Sequence, residues 1–444
     1  MRQPLVDINF VKERQKDLAQ HMESNSALVL FSHPDYVRNN DVHHAYRQDS
    51  NFYYITGFEE QGAVFIFRPG AEVETALFVM PKDIHMETWE GYRFGAQRAR
   101  ELFKMDECHN VELFADKAPA LLAGCDKIYY SLFKDEDMDR QFKDVTLKAK
   151  RMSGRSGRGV PTVIDSVDLL GSMRIVKNSD EIDCMEKTCS MTSHGHIALM
   201  KACRPGVNER ELHGVFISEV MSRGAAREGY GGIVASGNSA TTLHYRFNDR
   251  ECKDGDLLLV DAGAEYNYYS GDITRTFPVN GTFTPVQKRL YQGVLDVQKK
   301  LIEMSKPGAS FEDLNIYCRE ELTKLMITED LLEGNLQDRL EDMSFKKYFP
   351  HGVGHWLGLD VHDAGLYSKD GKPLPFEEGM CFTIEPGLYI PANDDSAPEE
   401  LRGIGIRIED NILITKTGHR ILTSEVPKEV DQIEDLMKPS QGLS

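Results

Sequence analysis

Five ionisable residues stand in apolar or glycine-rich strand contexts: Asp261 in LLLVDAG, Asp272 in SGDITRTF, His355 in HGVGHWLGLDVHD, Glu385 in FTIEPG and Glu409 in GIRIEDN. Four carboxylates packed together away from water would repel, and some would have to hold protons unless cations sit between them. Two divalent ions would neutralise them. A site of four carboxylates and one imidazole is oxygen-rich and hard, which favours Mn²⁺ over the thiolate surroundings of structural zinc. The residue types therefore point to a dinuclear hydrolase centre, while each Asp taken singly reads equally well as a turn or strand-end residue.

The two aspartates lie in DLLLVDAGAEYNYYSGDITRTFPV, where two apolar runs flank a polar centre. A two-residue turn at Tyr266 and Asn267 would make this a hairpin with Asp261 directly facing Asp272. Opposed side chains sit about 5 Å apart at Cβ, close enough to share a pair of metal ions about 3.5–4 Å apart.

At 444 residues the chain is long enough for two domains with full cores. Its formal net charge of −19 argues against a nucleic-acid partner, because no basic excess exists to neutralise phosphates. The eight cysteines form no CxxC pair, and MRQPLVDINF lacks the apolar run of a signal peptide. Free thiols in a cytoplasmic protein are expected. No stretch has the run of about 20 apolar residues that crosses a bilayer, so no membrane role is expected.

Stepping along the chain, strand-like runs ALVLF, GAVFIFRP and KIYYSLF alternate with helical segments such as Ala96–Phe103, an α/β pattern. The basic, glycine-bearing LKAKRMSGRSGRGVP is the linker candidate; its GRSGRG has the wrong spacing for a phosphate loop. The expected division is an N-terminal α/β domain over 1–172, a catalytic domain over 173–430 and a solvated tail over 431–444. The catalytic half carries a weak repeat. A helix ending in Pro-Gly is followed twice by a capping start, Asn208 with Glu211 and then, as a weaker variant, Ser310 with Asp313. VDAG echoes IEPG, so a duplicated unit of two helices and a strand pair would bring one acidic pair from each half to a central sheet.

The five ionisable residues, with TTLHYRFND, HGVGHWLGLDVHD and RGIGIRIED around them, resemble the aminopeptidase P and prolidase group of metallopeptidases. HAYRQDSNFYYITGF is similar to the N-terminal domain of aminopeptidase P, so the likeness covers nearly the whole chain. The resemblance implies an α+β protein: a C-terminal pita-bread domain with a smaller α/β N-terminal domain. It also implies Asp261, Asp272, His355, Glu385 and Glu409 as ligands of two Mn²⁺ ions, with Asp272 and Glu409 bridging and Co²⁺ or Zn²⁺ as substitutes. One position departs from it, Gly354, where Ser is the expected residue.

The implied reaction is hydrolysis of the bond between an N-terminal residue and a following proline, so the expected partners are peptides with proline in second position. A hydroxide between the metals would be the nucleophile. Glu385 doubles as the proton shuttle to the leaving prolyl nitrogen, and His362 resembles the family histidine that bonds the substrate carbonyl. His244 and His351 would line the pocket, although His351 in HGVGH reads equally as a turn cap. HxxxH here lacks the glutamate of HExxH zinc proteases, since residue 352 is Gly. Arg407 could orient Glu409 by a bidentate bond, and Tyr389 could reach the same cluster. Trp89 in ETWEGYRFG matches a family tryptophan that enters a neighbouring subunit's site, implying a homo-oligomer, dimer or tetramer; its competing reading is a core aromatic.

Three other readings compete. A prolidase would act on Xaa-Pro dipeptides alone. A creatinase-like hydrolase uses this fold without the ligand set, and a non-catalytic pita-bread module binds proteins but usually loses ligands. All five ligand residues are present here.

Overall fold

The computed structural model describes residues 3–154, 157 and 159–438. Two compact units divide the chain, Met1–Met173 and Arg174–Ser444.

The first unit is built on a six-stranded mixed sheet, in spatial order Glu107–Asn110, Thr75–Val79, Val64–Phe67, Ser26–Phe31, Lys127–Tyr129 and Thr162–Ile164. Ser26–Phe31 pairs antiparallel with Val64–Phe67 and parallel with Lys127–Tyr129. SALVLF and VFIF run as continuous apolar stretches, as strands covered on both faces must. Helices Phe114–Leu122 and Glu136–Met152 supply Phe114, Leu122, Phe142 and Val145 to one side of that core.

The basic segment expected as an interdomain linker lies within this unit. Leu147–Met152 completes helix Glu136–Met152, because LKAKRM consists of good helix formers. The helix stops at Ser153, with Gly154 in the left-handed region at φ +62°. Residues 155, 156 and 158 of that segment lie outside the described residues.

The second unit alternates helix pairs with strand pairs. Helices Ser179–Ala202 and Glu209–Ser222 precede an antiparallel sheet of Ile233–Ser236, Leu257–Ala262 and Ile273–Pro278. Helices Pro285–Met304 and Phe311–Thr328 precede a long second hairpin. In it Cys381–Ile384 pairs with Asp410–Ile414, and Gly387–Ile390 with Ile404–Arg407. Leu199, Phe216, Leu290 and Leu314 from the helices pack with Val260, Ile406 and Ile412 from the strands into one core.

The helix starts differ in detail from the expected capping. Ser310 and Asp313 form a complete reciprocal capping box, as do Asn178 with Glu181 and Thr284 with Gln287. Asn208 instead caps through Arg210 N at 2.9 Å, and the Glu211 carboxylate turns to Arg204. The segment expected as a solvated tail begins as helix Val430–Met437, whose Val430 and Ile433 are buried in the core; residues 439–444 lie outside the described residues. Among the described residues no helix is long and apolar enough to cross a membrane.

Candidate active site

The first acidic pair is set by the hairpin Leu257–Ala262 and Ile273–Pro278. Its turn falls at Asn267 and Tyr268, both left-handed at φ +48° and +72°, one residue later than the sequence suggests. Two consecutive positive φ values suit the right-handed twist of a tight hairpin, and Asn tolerates that region. Asp261 therefore faces Thr274 rather than Asp272. Moving the turn by one residue slides the pairing by two, which preserves the face each side chain points to. Asp272 remains on the face of Asp261, diagonally displaced instead of opposite.

The second pair is set by the later hairpin. Ile384 pairs with Asp410 on one side and Gly387 with Arg407 on the other, so Glu385 and Glu409 stand across from each other between them. The two hairpins meet along a seam in which positions 272, 274 and 276 face 411, 409 and 407. Asn411 Oδ1 accepts Asp272 N at 3.0 Å, Glu409 N donates to Thr274 O at 3.0 Å, and Thr276 Oγ1 donates to Arg407 O at 3.0 Å. Two of the three contacts use a side chain on one side, so the seam replaces a regular ladder and brings both acidic pairs to one place.

His355 arrives from a loop held against strand Cys381–Ile384 by His355 N to Thr383 Oγ1 at 3.1 Å and Thr383 N to His355 O at 2.9 Å. Its Nδ1–H donates to Trp356 O at 3.0 Å, which leaves Nε2 as the free ring nitrogen. Nε2 lies 3.4 Å from Asp272 Oδ2 and 3.6 Å from Glu385 Oε1. Ligand atoms of Asp272, His355 and Glu409 all lie within 4.8 Å of one another, a separation that one cation could span. Gly354 precedes this histidine for a steric reason: a Cβ there would stand 1.9 Å from Thr383 O, so the Ser expected from the resemblance does not fit.

The electrostatics agree with a cation site. Burial raises the Glu385, Asp272 and Glu409 carboxyls above their usual range, and the neighbouring carboxylates add to it. Burial would lower the His355 imidazole, but Asp272 and Glu385 outweigh it and hold it at about 9. A group of buried acids that together retain protons and force one onto a histidine is short of positive charge. The oxygen-rich donors fit a divalent metal.

Arg407 does not orient Glu409. Its Nη2 donates to Asp261 Oδ2 at 2.6 Å, its Nε to Thr274 Oγ1 at 3.1 Å and its Nη1 to the Tyr389 hydroxyl at 2.9 Å. Glu409 is held by Thr274 instead, whose hydroxyl donates to Oε2 at 2.6 Å. Tyr389 continues the chain to His351 Nε2 at 2.8 Å, while His351 Nδ1 donates to Gly352 O. Burial, with Arg407 beside it, lowers His351 to about 4, so it accepts from Tyr389 as a neutral ring. His351 thus satisfies both readings, bonding its own turn and facing the site.

Tyr230 is a site residue that sequence reasoning missed. Its hydroxyl bonds Asp261 Oδ1 at 2.5 Å and also Asp272 Oδ1. The register between Glu228 and Ala264 jumps by two residues before Ile233 pairs with Asp261, so Tyr230-Gly231-Gly232 bulges and aims the ring inward. The signal was an aromatic set before two glycines at a strand start, in GYGGIV.

These groups open on a cavity of about 820 Å³ lined by Asp261, Asp272, His355, Glu385 and Glu409 together with His244, His351, His362 and Arg407. His362 packs edge-on against His355, ring centroids 4.3 Å apart. Trp89 belongs to the first unit, on helix Ile84–Glu90, which buries none of its residues. At 77% exposure it is not a core aromatic.

Residues 183–416 match the model of metallopeptidase family M24, and residues 11–129 that of the aminopeptidase P N-terminal domain. The chain is 39% identical over 427 residues to a Xaa-Pro aminopeptidase of Haemophilus influenzae, covering 96% of each. It superposes on the aminopeptidase PepP of Pseudomonas aeruginosa with a TM-score of 0.94 at 38% identity, covering 98% of both chains. It superposes on zinc-substituted Escherichia coli aminopeptidase P in complex with product with a TM-score of 0.92 at 36% identity, covering 97% of this chain and 98% of the other.

Proposed function

We propose, from the membership of this chain in metallopeptidase family M24, that it is a metal-dependent Xaa-Pro aminopeptidase, releasing the first residue of peptides whose second residue is proline. The observation that carries the reading is the meeting of two acidic pairs and His355 Nε2 on the wall of one cavity.

Asp261, Asp272, His355, Glu385 and Glu409 would hold two divalent ions, and a donor set of four carboxylates and one imidazole favours Mn²⁺, with Co²⁺ or Zn²⁺ as substitutes. Such ions supply a water of lowered pKa and polarise the scissile carbonyl. The protein's own groups do the rest. Glu385, on the cavity wall, takes a proton from the attacking water and passes it to the prolyl nitrogen. That nitrogen is a tertiary amide and must be protonated to leave. His362 on the cavity wall donates to the substrate carbonyl as negative charge grows on its oxygen. Arg407 and Tyr230 fix the two oxygens of Asp261, and Thr274 fixes Glu409, so the carboxylates are oriented before any ligand arrives. His244 and His351 wall the substrate. The exposure of Trp89 fits a contact with a second copy, and we assign a homo-oligomer in the cytoplasm.

The test is hydrolysis of Arg-Pro-Pro and of Arg-Pro after metal stripping and Mn²⁺ readdition, with the products identified. Free Arg released from the tripeptide and restored by Mn²⁺ is the expected result. Cleavage of the dipeptide only would make the protein a prolidase. No cleavage of either peptide with metal bound would make it a binding module.

A further inference from the structure

We propose that Arg210 and Arg246 form an anion-recognising wall of the cavity that selects peptides carrying a carboxylate just after the proline, an inference that rests on the aminopeptidase reading and defines its substrate class further.

The wall is a built feature. Segment 243–250 is pinned at alternate places: Tyr245 OH donates to Glu209 Oε2 at 3.0 Å, and Asn248 accepts Val234 N at 3.0 Å while donating to Gly232 O at 2.8 Å. Glu209 is itself fully buried and also accepts Ser236 N at 2.7 Å and Arg250 N at 3.0 Å. Residues 243–248 all line the cavity, and with Tyr245 and Asn248 buried by these bonds, His244, Arg246 and Phe247 are the exposed side chains of that wall. Arg210, in the first turn of helix Glu209–Ser222, joins them by donating to Phe247 O at 3.4 Å.

The charges on this wall are uncompensated. The carboxylates lining the cavity are Asp261, Asp272, Glu385 and Glu409, all in the metal cluster, and the other lining arginine, Arg407, is paired with Asp261. Among the described residues no carboxylate stands within ion-pair distance of Arg210 or Arg246. A chain of net charge −19 has ample acids to neutralise two arginines, yet among the described residues neither has an ion-pair partner. Because two divalent ions would neutralise the four carboxylates, the loaded cavity presents a cluster without excess charge at one place and two cations for an anion at another. This asymmetry orients the peptide and attracts the carboxylate in the shared cavity. The carboxylate has two sources, the free C-terminus of an Xaa-Pro-Yaa tripeptide or an acidic side chain at the third residue.

The experiment compares kcat/KM for Arg-Pro-Pro and its C-terminal amide, and for Arg-Pro-Glu-amide and Arg-Pro-Gln-amide, using the Mn²⁺-loaded full chain and its R210Q/R246Q, R210K/R246K and R246E variants. The expected result is a preference of about fivefold for at least one carboxylate-bearing member, mainly in KM and compressed by salt, as for a solvent-facing ion pair. The ratio should survive in R210K/R246K and fall to about one both in R210Q/R246Q and in R246E, whose added carboxylate offsets Arg210. The pair that shows the preference identifies the source. Equal kcat/KM within both pairs for the unaltered protein would overturn the proposal, as would a preference that persists in R210Q/R246Q. Cleavage of none of the peptides would overturn the aminopeptidase reading and this proposal with it, whereas cleavage without preference would overturn this one only.

Discussion

Thr274 and Glu409 hold each other twice, through Glu409 N to Thr274 O at 3.0 Å and through the Thr274 hydroxyl to Glu409 Oε2 at 2.6 Å. Thr274 is also the residue that faces Asp261, and its Oγ1 accepts Arg407 Nε. One hydroxyl therefore links a member of the first hairpin, an acid of the second and the arginine that orients Asp261. The two acidic pairs are thus coupled through one threonine hydroxyl.

Thr274→Val keeps the shape of the side chain and removes that hydroxyl. The Glu409 carboxylate then loses its donor and Arg407 an acceptor, both buried, at a cost of roughly 1–3 kcal/mol. We expect Mn²⁺ affinity to fall about tenfold or more, as for other losses behind a ligand, with near-normal behaviour in Thr274→Ser. Metal titration of stripped protein measures this; unchanged affinity in the valine variant would refute the role.

Gly354→Ser restores the residue expected from the family resemblance and should fail here. Its Cβ would stand 1.9 Å from Thr383 O, and Thr383 is the residue that positions the backbone of His355. Backbone displacement of this kind costs about 1–3 kcal/mol. A drop in melting temperature together with loss of bound metal is the expected outcome, read by thermal unfolding and metal analysis.

The carboxylates and His355 were legible in the sequence because ionisable groups in apolar strands need a reason to be there. The hairpin carrying Asp261 and Asp272 was legible too, but not its register. The turn moved to Asn267 and Tyr268, and only the parity of strands kept the chemical conclusion intact. Partner choice was the least legible. Nothing local tells whether Arg407 will bond Asp261, 146 positions away, or its near neighbour Glu409. Tyr230 was missed for the same reason, since its place depends on a register jump between strands.

His362 and Glu385 are expected to separate in their effects. His362 touches the ring of His355 but belongs to neither acidic pair. His362→Ala should retain metal and lower kcat by about 10²-fold or more, the usual loss for a donor to developing charge. Glu385→Ala should lose metal and activity together. Full activity in His362→Ala would remove its assigned role, and metal loss would make it a ligand.

His196 gives a pH signature away from the metals. It is fully buried, its Nε2–H donates to Ala262 O at 2.9 Å, and burial, with Arg275 opposing charge on it as well, lowers its pKa from 6.5 to about 4. Between those values the unfolded chain binds the proton and the folded one does not, so stability from this residue is present above pH 6.5 and is lost as the pH falls to 4. The full loss is roughly 3 kcal/mol. Urea unfolding of the unaltered chain and of His196→Gln from pH 7 to 4 should show their stability difference shrinking toward acid; a constant difference would contradict it.

The loop bearing His362 rests on a buried ion cluster. Asp363 Oδ2 accepts Lys177 Nζ at 3.0 Å, and its Oδ1 accepts Arg174 Nη2; all three side chains are 3% exposed or less. Asp363 N bonds Trp356 O at 2.9 Å, so the aspartate closes the turn between His355 and His362. Lys177→Met leaves a buried carboxylate with half of its compensation, and breaking such a group costs about 3–5 kcal/mol when one partner goes. We expect destabilisation near the lower figure, because Arg174 remains, together with a fall in kcat as the His362 turn loosens. Adding Asp363→Asn should recover part of the stability by removing the stranded charge, but not the kcat. Double-mutant analysis of unfolding free energies measures the coupling, and simple additivity of the two changes would show that Lys177 and Asp363 do not act as a pair.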